Sequence, residues 1–389
     1  MDENILLNLR KFLVPEIVYG EDARLLSGTH AGNFGASRVL IVTDEGVQAS
    51  GCTSGVEKSL EEAGIDYVVF KDLTPNPKDY EVMAGVEIFR EENCDMIIAV
   101  GGGSPMDCAK GIGVVIGNGG NILDYEGVNM IPRPGPPLIF IPTTSGSSAD
   151  VSQFAIITDS TRRVKIAIVS KMVIPEISLV DPKTTWTMDR ELTAATGMDT
   201  LCHAFEAYVS TASSPLTDMA ALAAVGFVHR YLKRAYENGG DVEARDKMMT
   251  ASLVAGLAFS NASLGLVHAM AHSLGGGHDL AHGECNAILL EKVVEFNYAD
   301  EPQRYDRLGQ AMGVEIDRID RRDRAAAVSG AVSGLRRSLG ITQRLKDLGV
   351  TRPDLFRLAG FASKDACLAT NPRDASIKEI EGIYEQIYD

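Results

Sequence analysis

Nowhere does the chain place two cysteines in a Cys-x-x-Cys spacing, and no uncharged apolar stretch reaches about 18 residues. Positive charge is scarce as well: 37 Lys and Arg stand against 53 Asp and Glu, a formal net charge of −16. Each lack excludes something. The six scattered cysteines (52, 94, 108, 202, 285 and 367) form no disulfide or zinc-ribbon framework, which fits a reducing cytoplasm. Without a long apolar run no membrane span is expected, and Met1 to Arg10 has no apolar core of signal-peptide length. The negative charge repels phosphate backbones and anionic lipid, so neither nucleic acid nor a membrane is expected as a partner. Internal repeats and low-complexity tracts are also missing; Pro132-Arg133-Pro134-Gly135-Pro136-Pro137 reads only as a stiff loop.

What is present is an ordinary globular composition, 45% hydrophobic and 23% charged, over 389 residues. At about 150 residues per domain that length suggests two to three cores. The first half alternates short apolar runs with amphipathic stretches, the pattern of an α/β layer with a mostly parallel, Rossmann-like sheet. Strands are expected at 39–43, 67–70, 96–100, 138–141 and 177–180, with a hairpin of 154–158 and 164–169. Crossover helices are expected at 55–63 and 80–92. From Thr185 onward the texture is rich in Ala, Met and Leu at helical spacing. We therefore expect an α/β domain over residues 1–182 and an all-α domain over 183–389, with Thr187 or Asp189 capping the first helix beyond the boundary.

The strand 96–100 runs into Gly101-Gly102-Gly103-Ser104-Pro105-Met106-Asp107 and then a helix. Glycines let a backbone approach a pyrophosphate closely, and a helix start offers free amides, so this turn suits a phosphate or is simply a tight turn. It is neither Gly-x-Gly-x-x-Gly nor a Walker loop. Asp44, at the tip of an early strand, suits a ribose 2′-hydroxyl or a helix cap. The hydroxyl-rich loop Pro142 to Asp150 suits a ligand or its own turn backbone.

Histidine is the sharpest signal. Four of the seven, His268, His272, His278 and His282, fall within fifteen residues. His268 and His272 share a helical face, Gly275-Gly276-Gly277 is expected to break that helix, and Asp199 and His203 form a second i, i+4 pair. Imidazoles with one carboxylate suit zinc or iron. A Lewis acid on an alcohol oxygen, beside a dinucleotide, means alcohol oxidation. His30 and His229 have no such company and read as structural.

Together these residues resemble the iron-containing, or group III, alcohol dehydrogenases over nearly the whole chain. Gly101 to Lys110 is similar to that family's Gly-Gly-Gly-Ser-x-x-Asp-x-x-Lys loop, and Gly265 to Ala287 carries its His-rich motif in full spacing. The resemblance implies a dehydroquinate synthase-like architecture. It implies a divalent metal, Fe²⁺ before Zn²⁺, on Asp199, His203, His268 and His282. It implies NAD held by Asp44, Asn76, Gly102, Gly103, Ser104, Asp107, Thr143, Thr144, Ser147 and Lys165, with His272 near the nicotinamide as a catalytic proton relay. The expected activity interconverts a small primary alcohol or diol and its aldehyde, by direct hydride transfer from the metal-held alkoxide, in a cytoplasmic homodimer or larger homo-oligomer. The alternatives are an NAD- and metal-dependent lyase of the same architecture, a non-haem iron oxygenase, and a non-catalytic assembly protein.

The chain departs from the family pattern at four positions. Ser147 stands where threonine is common and Asp150 where glutamate is common. Asp189 replaces a usual proline, and Ala281 precedes His282 where proline is usual.

Overall fold

The structure, a computed structural model, describes residues 11–389. Met1 to Arg10, the stretch read for an export signal, lies outside the described residues.

Among the described residues nine strands occupy the first half: β1 (Glu16–Tyr19), β2 (Arg38–Val42), β3 (Asp66–Phe70), β4 (Met96–Gly101), β5 (Gly127–Val128), β6 (Leu138–Pro142), β7 (Phe154–Asp159), β8 (Val164–Val169) and β9 (Ile177–Val180). Six of them form a parallel sheet in the order β1-β9-β6-β4-β2-β3. The central strands β4 and β6 are buried along their whole length, paired from Ile97 on Leu138 to Gly101 on Pro142. Unbroken apolar runs are what a parallel sheet covered on both faces requires.

Helices cover both faces: α1 (Ser27–Asn33), α2 (Glu45–Ala49), α3 (Ser54–Glu62), α4 (Asp79–Glu91) and α5 (Gly103–Asn118). Because strand side chains alternate, β2 divides its own residues between two cores. Leu40 and Val42 join Ile97, Ala99 and Phe140 on the face that packs α4 and α5. Val39 and Ile41 join Ile98, Val100 and Ile141 on the opposite face. Each fully buried Leu, Ile or Val of this kind stabilises the sheet by about 1.5–3 kcal/mol.

β7 and β8 make the expected antiparallel hairpin, from Phe154 on Val169 to Asp159 on Val164. Asp159 Oδ1 accepts the amides of Thr161 and Arg162 at 2.9 and 2.8 Å, which closes the turn. β5 pairs with β8 and extends the hairpin into a three-stranded sheet. Two strands were missing from the sequence reading. β1 is a half-exposed four-residue edge, and β5 has only two residues, so neither carries an apolar run.

Beyond β9 the chain is helical: α6 (Arg190–Val209), α7 (Pro215–Glu237), α8 (Val242–Ala262), α9 (Leu266–His278), α10 (His282–Asn297), α11 (Pro302–Ala311), α12 (Arg324–Ser338), α13 (Asp354–Ala362) and α14 (Ile377–Gln386). Asp189 Oδ1 caps α6 by accepting the Leu192 amide at 2.7 Å. A third core, including Phe205, Leu232, Met248, Leu289 and Tyr384, fills this half.

One expectation is overturned. Gly275-Gly276-Gly277 does not break its helix; α9 runs through all three and ends at His278. The glycines are there for contact. A Cβ on Gly276 would sit 2.9 Å from the backbone nitrogen of Lys165 and from Val164 Cα, and one on Gly275 2.8 Å from Lys165 Cε. Only a bare helix face lets α9 lie directly against β8.

Candidate active site

A cavity of about 1500 Å³ opens where the carboxyl ends of β2, β4 and β6 face α6, α9 and α10. Parallel sheets hold ligands outside their carboxyl ends.

At the sheet side, β4 ends at Gly101 with φ 159°, and α5 starts at once. No side chain caps that start, and Gly102, Gly103, Ser104 and Asp107 line the cavity. The neighbouring hydroxyl loop is held by the Thr143 amide, which donates to Gly101 O at 2.9 Å. The two loops touch closely: a Cβ on Gly102 would lie 3.2 Å from Thr144 Oγ1, and one on Gly103 3.1 Å from Ser147 Cβ. Thr143, Thr144 and Ser147 line the cavity, whereas Ser148 turns away and bonds Ser252 O at 2.6 Å. Asp150 is also turned away, accepting Ser178 Oγ at 2.7 Å in the interior.

Asp107 Oδ2 accepts the Ile156 amide at 3.1 Å. Lys110, fully buried one helical turn on, donates to Ser152 O at 3.1 Å and Phe154 O at 2.6 Å, which pins α5 to the start of β7. Asp44 Oδ1 caps α2 through the Val47 amide at 2.9 Å, and the residue also lines the cavity. The helix-cap reading is thus the one observed. Asn76, in the left-handed conformation at φ 57°, donates from Nδ2 to Asp279 Oδ1 at 2.8 Å across the rim. Lys165 lines the cavity beside Gly275, and burial holds its ammonium below the usual lysine range.

At the helical side, α6 supplies Asp199 and His203, α9 supplies His268 and α10 begins with His282. Asp199 Oδ1 is 3.8 Å from the Nε2 of each of the three histidines. The four ligand atoms lie within 4.8 Å of one another. Asn286 Nδ2 sits among three of them, 2.6 Å from Asp199 Oδ1, 3.1 Å from His268 Nε2 and 3.2 Å from His282 Nε2. An amide has two protons and cannot satisfy three acceptors, so lone pairs outnumber donors at this point.

Two of the three histidines are held neutral. Burial lowers His203 to about 4, against the pull of Asp199, and drives His282 well below the ordinary imidazole value. Burial pushes Asp199 up, but the three histidines outweigh it and keep the carboxyl far below the usual range. His268 moves the other way: burial opposes its charge, yet the Glu206 carboxylate raises it to about 9. Glu206 Oε2 lies 2.5 Å from His268 Nδ1, and the same carboxylate accepts the amides of Gly265 and Val267. That bond leaves Nε2 facing the other ligands, the usual support for a metal-binding imidazole. Donor type, number and convergence all fit a divalent metal.

The spacing of α6 and α10 is set by backbone. A Cβ on Gly283 would stand 2.4 Å from Ala195 O, so glycine is required beside His282. His272 lies outside the four-atom group; its ring stacks on His282 at 5.4 Å, and its Nδ1 is 2.8 Å from Asp365 Oδ2. His278 is also apart, 3.7 Å from Asp354. Phe259 stacks on His203 at 4.3 Å and meets Phe154 at 5.9 Å, giving the metal-side cavity an apolar wall.

Sequence reading missed Glu206, Asn286, Asp365 and this aromatic pair. Glu206 is one turn beyond His203 and Asn286 one turn beyond His282, so helical spacing contained both. Asp365 is 93 residues from its partner, with no local sign.

The architecture and this cluster belong to one class of oxidoreductase, and the chain is a member of the iron-containing alcohol dehydrogenase family. The profile described as iron-containing alcohol dehydrogenase matches residues 15–182, and that of the Fe-containing alcohol dehydrogenase family, C-terminal, matches 193–388. The chain is 41% identical over 380 residues to 1,3-propanediol dehydrogenase of Citrobacter freundii, covering 97% of this chain and 98% of that one. It is 39% identical over 375 residues to NAD-dependent methanol dehydrogenase of Bacillus methanolicus, covering 96% and 98%. A solved structure of a 1,3-propanediol oxidoreductase superposes with a TM-score of 0.95 at 39% identity, over 98% of this chain and all of the other. Among the described residues no single helix is long and apolar enough to cross a membrane.

Proposed function

We propose that the protein is an NAD- and metal-dependent alcohol dehydrogenase that interconverts a small primary alcohol or diol and its aldehyde by direct hydride transfer. One observation carries the reading: a single cavity has the glycine and hydroxyl loops on one wall and the Asp199, His203, His268 and His282 lone pairs on the other. In this reading residues 1–182 hold the dinucleotide and 183–389 the metal. Fe²⁺ is the ion expected from the family, and Zn²⁺ suits the same donors. When bound, the cation supplies Lewis acidity toward a hydroxyl and NAD supplies the hydride acceptor.

The chain's own residues do the rest. Backbone at Gly102 and Gly103, with Ser104 and the hydroxyls of Thr143, Thr144 and Ser147, binds the phosphate and ribose portions; Asp44 and Asn76 stand at the rim for the adenosine side. Lys165 and Asp107 line the path between the two walls. Phe154 and Phe259 exclude water beside the metal ligands and favour a short apolar alcohol. His272 accepts the hydroxyl proton and passes it to solvent. A lyase acting on a phosphorylated acid would need a basic pocket, but the cavity lining contains Lys71 and Lys165 and no arginine.

The test is initial-rate NAD reduction with short primary alcohols and 1,2- and 1,3-diols, on protein prepared without oxygen and loaded in turn with Fe²⁺ and Zn²⁺. NADH formation only with metal, and with one alcohol class preferred, is the expected result. No reaction with any alcohol, either metal, and NAD or NADP would end this reading.

A further inference from the structure

We propose that Asp365 is a positioning residue that fixes His272 with its proton on Nδ1, so that the Nε2 lone pair is the one presented to the cavity. The inference rests on the alcohol dehydrogenase reading for its chemical purpose, but its geometry stands alone.

Asp365 Oδ2 is 2.8 Å from His272 Nδ1. Its other oxygen, Oδ1, accepts the Cys367 amide at 2.8 Å and so caps the short helical turn of residues 366–370. The carboxylate is thus held from both sides, and nine-tenths of its side-chain surface is covered. A carboxylate only accepts, so the proton shared with the neutral imidazole resides on Nδ1. The ring cannot tilt away, because it stacks on His282 with an interplanar angle of 16° and meets His268 edge-on at 6.1 Å. Nε2 has no hydrogen-bond partner among the described residues, and the ring lines the cavity.

His272, Asp365 and Cys367 also come close enough to suggest a second metal site. Two facts argue against that. Nδ1 and the carboxylate are already at hydrogen-bond distance, and burial pushes the Cys367 thiol well up, which keeps it protonated and a poor ligand.

The reaction to be served takes alcohol and NAD⁺ to aldehyde, NADH and one proton. Two electrons leave the carbon with the hydride, and the hydroxyl proton goes to His272 Nε2. Asp365 carries the countercharge to the imidazolium until water removes that proton. Without Asp365 the ring is free to place its proton on Nε2, where it can accept nothing.

The experiment uses the full chain loaded with Zn²⁺ and labelled with [¹⁵N]histidine, with His272 assigned through His272→Gln. Long-range ¹H–¹⁵N spectra of the unsubstituted protein should show the Nδ1–H tautomer at His272, and Asp365→Asn, whose amide donates, should show Nε2–H. In alcohol oxidation Asp365→Asn should lower kcat by about 100-fold with KM within threefold and metal content unchanged, the order of a lost general base. His272→Ala and the double variant His272→Ala/Asp365→Asn should have the same rate, because Asp365 acts only through the ring. An Nε2–H tautomer in the unsubstituted protein, a kcat within threefold in Asp365→Asn, or full additivity in the double variant would overturn the assignment. The spectrum of the unsubstituted protein requires no variant to fold. An Nδ1–H tautomer in a protein that oxidises no alcohol would uphold the positioning role and defeat the alcohol dehydrogenase reading.

Discussion

The two walls of the cavity are built on opposite principles. The sheet side is mostly backbone: a glycine turn, an uncapped helix start and a loop whose amide bonds Gly101 O, all contributed by neighbouring strand ends. The helical side is mostly side chain: four ligands from three helices, with Asp199, His203 and His268 buried and His282 half-buried at the cavity edge. Backbone recognition survives a change of residue as long as the chain path is kept, whereas a ligand set fails with any one member. The first wall, its close-packed glycines excepted, should therefore tolerate substitution and the second should not.

The sharpest test of that contrast is His282→Ala. It should reduce bound metal to background by elemental analysis and lower activity by at least about 1000-fold, since a Lewis acid and its charge stabilisation are worth several kcal/mol. An active, metal-free variant would erase the distinction between the walls.

The pH response of the metal-free protein is the next largest effect. His203 falls from 6.5 unfolded to about 4 folded, so the unfolded chain takes the proton first and stability drops as pH falls from 6.5 to 4. His268 rises from 6.5 to about 9, so its contribution is complete below 6.5 and is lost as pH climbs to 9. Each window spans a few pH units, on the order of 3 kcal/mol. Urea midpoints of chelator-treated protein should therefore peak near pH 6.5, and loading with metal should flatten the alkaline side. A peak displaced beyond either window would mean that other groups dominate.

A smaller effect is expected one layer out. Glu206→Gln keeps the size of the group but weakens its hold on His268, and metal affinity measured by chelator competition should fall about 10–100-fold. The smallest belongs to the other wall. Ser147→Thr restores the residue common in the family at a position where the loop meets Gly103, and KM for NAD should move less than about threefold, of the order of a surface-like substitution. A larger shift would show that this wall depends on side chains after all.

The same contrast governs what could be read from the sequence. β4 and β6 were legible because burial on both faces leaves an unbroken apolar run, and the cluster at His268 and His282 because four of the seven histidines fall within fifteen residues. β1 and β5 were not, since an exposed edge and a two-residue strand carry no pattern. The glycine triplet was misread for a definite reason. Local propensity says that three glycines end a helix, but the contact with β8 has no room for a Cβ, and tertiary packing overrides the propensity. The ligand candidates were thus visible along the chain, while Asp365, the carboxylate that supports His272, becomes a neighbour only after folding.

Gly283 carries one more consequence. Since α10 rests on the Ala195 carbonyl of α6 at Gly283, with no Cβ at that contact, the gap between His282 and Asp199 works as a fixed gauge. A side-chain spacer would change length with every rotamer and every repacking of the core; a peptide-to-peptide stop does not. Substitutions deep in the helical half can then loosen the protein as a whole while the coordination distances stay the same, so that heat tolerance and metal selectivity are free to drift independently in descendants of this sequence.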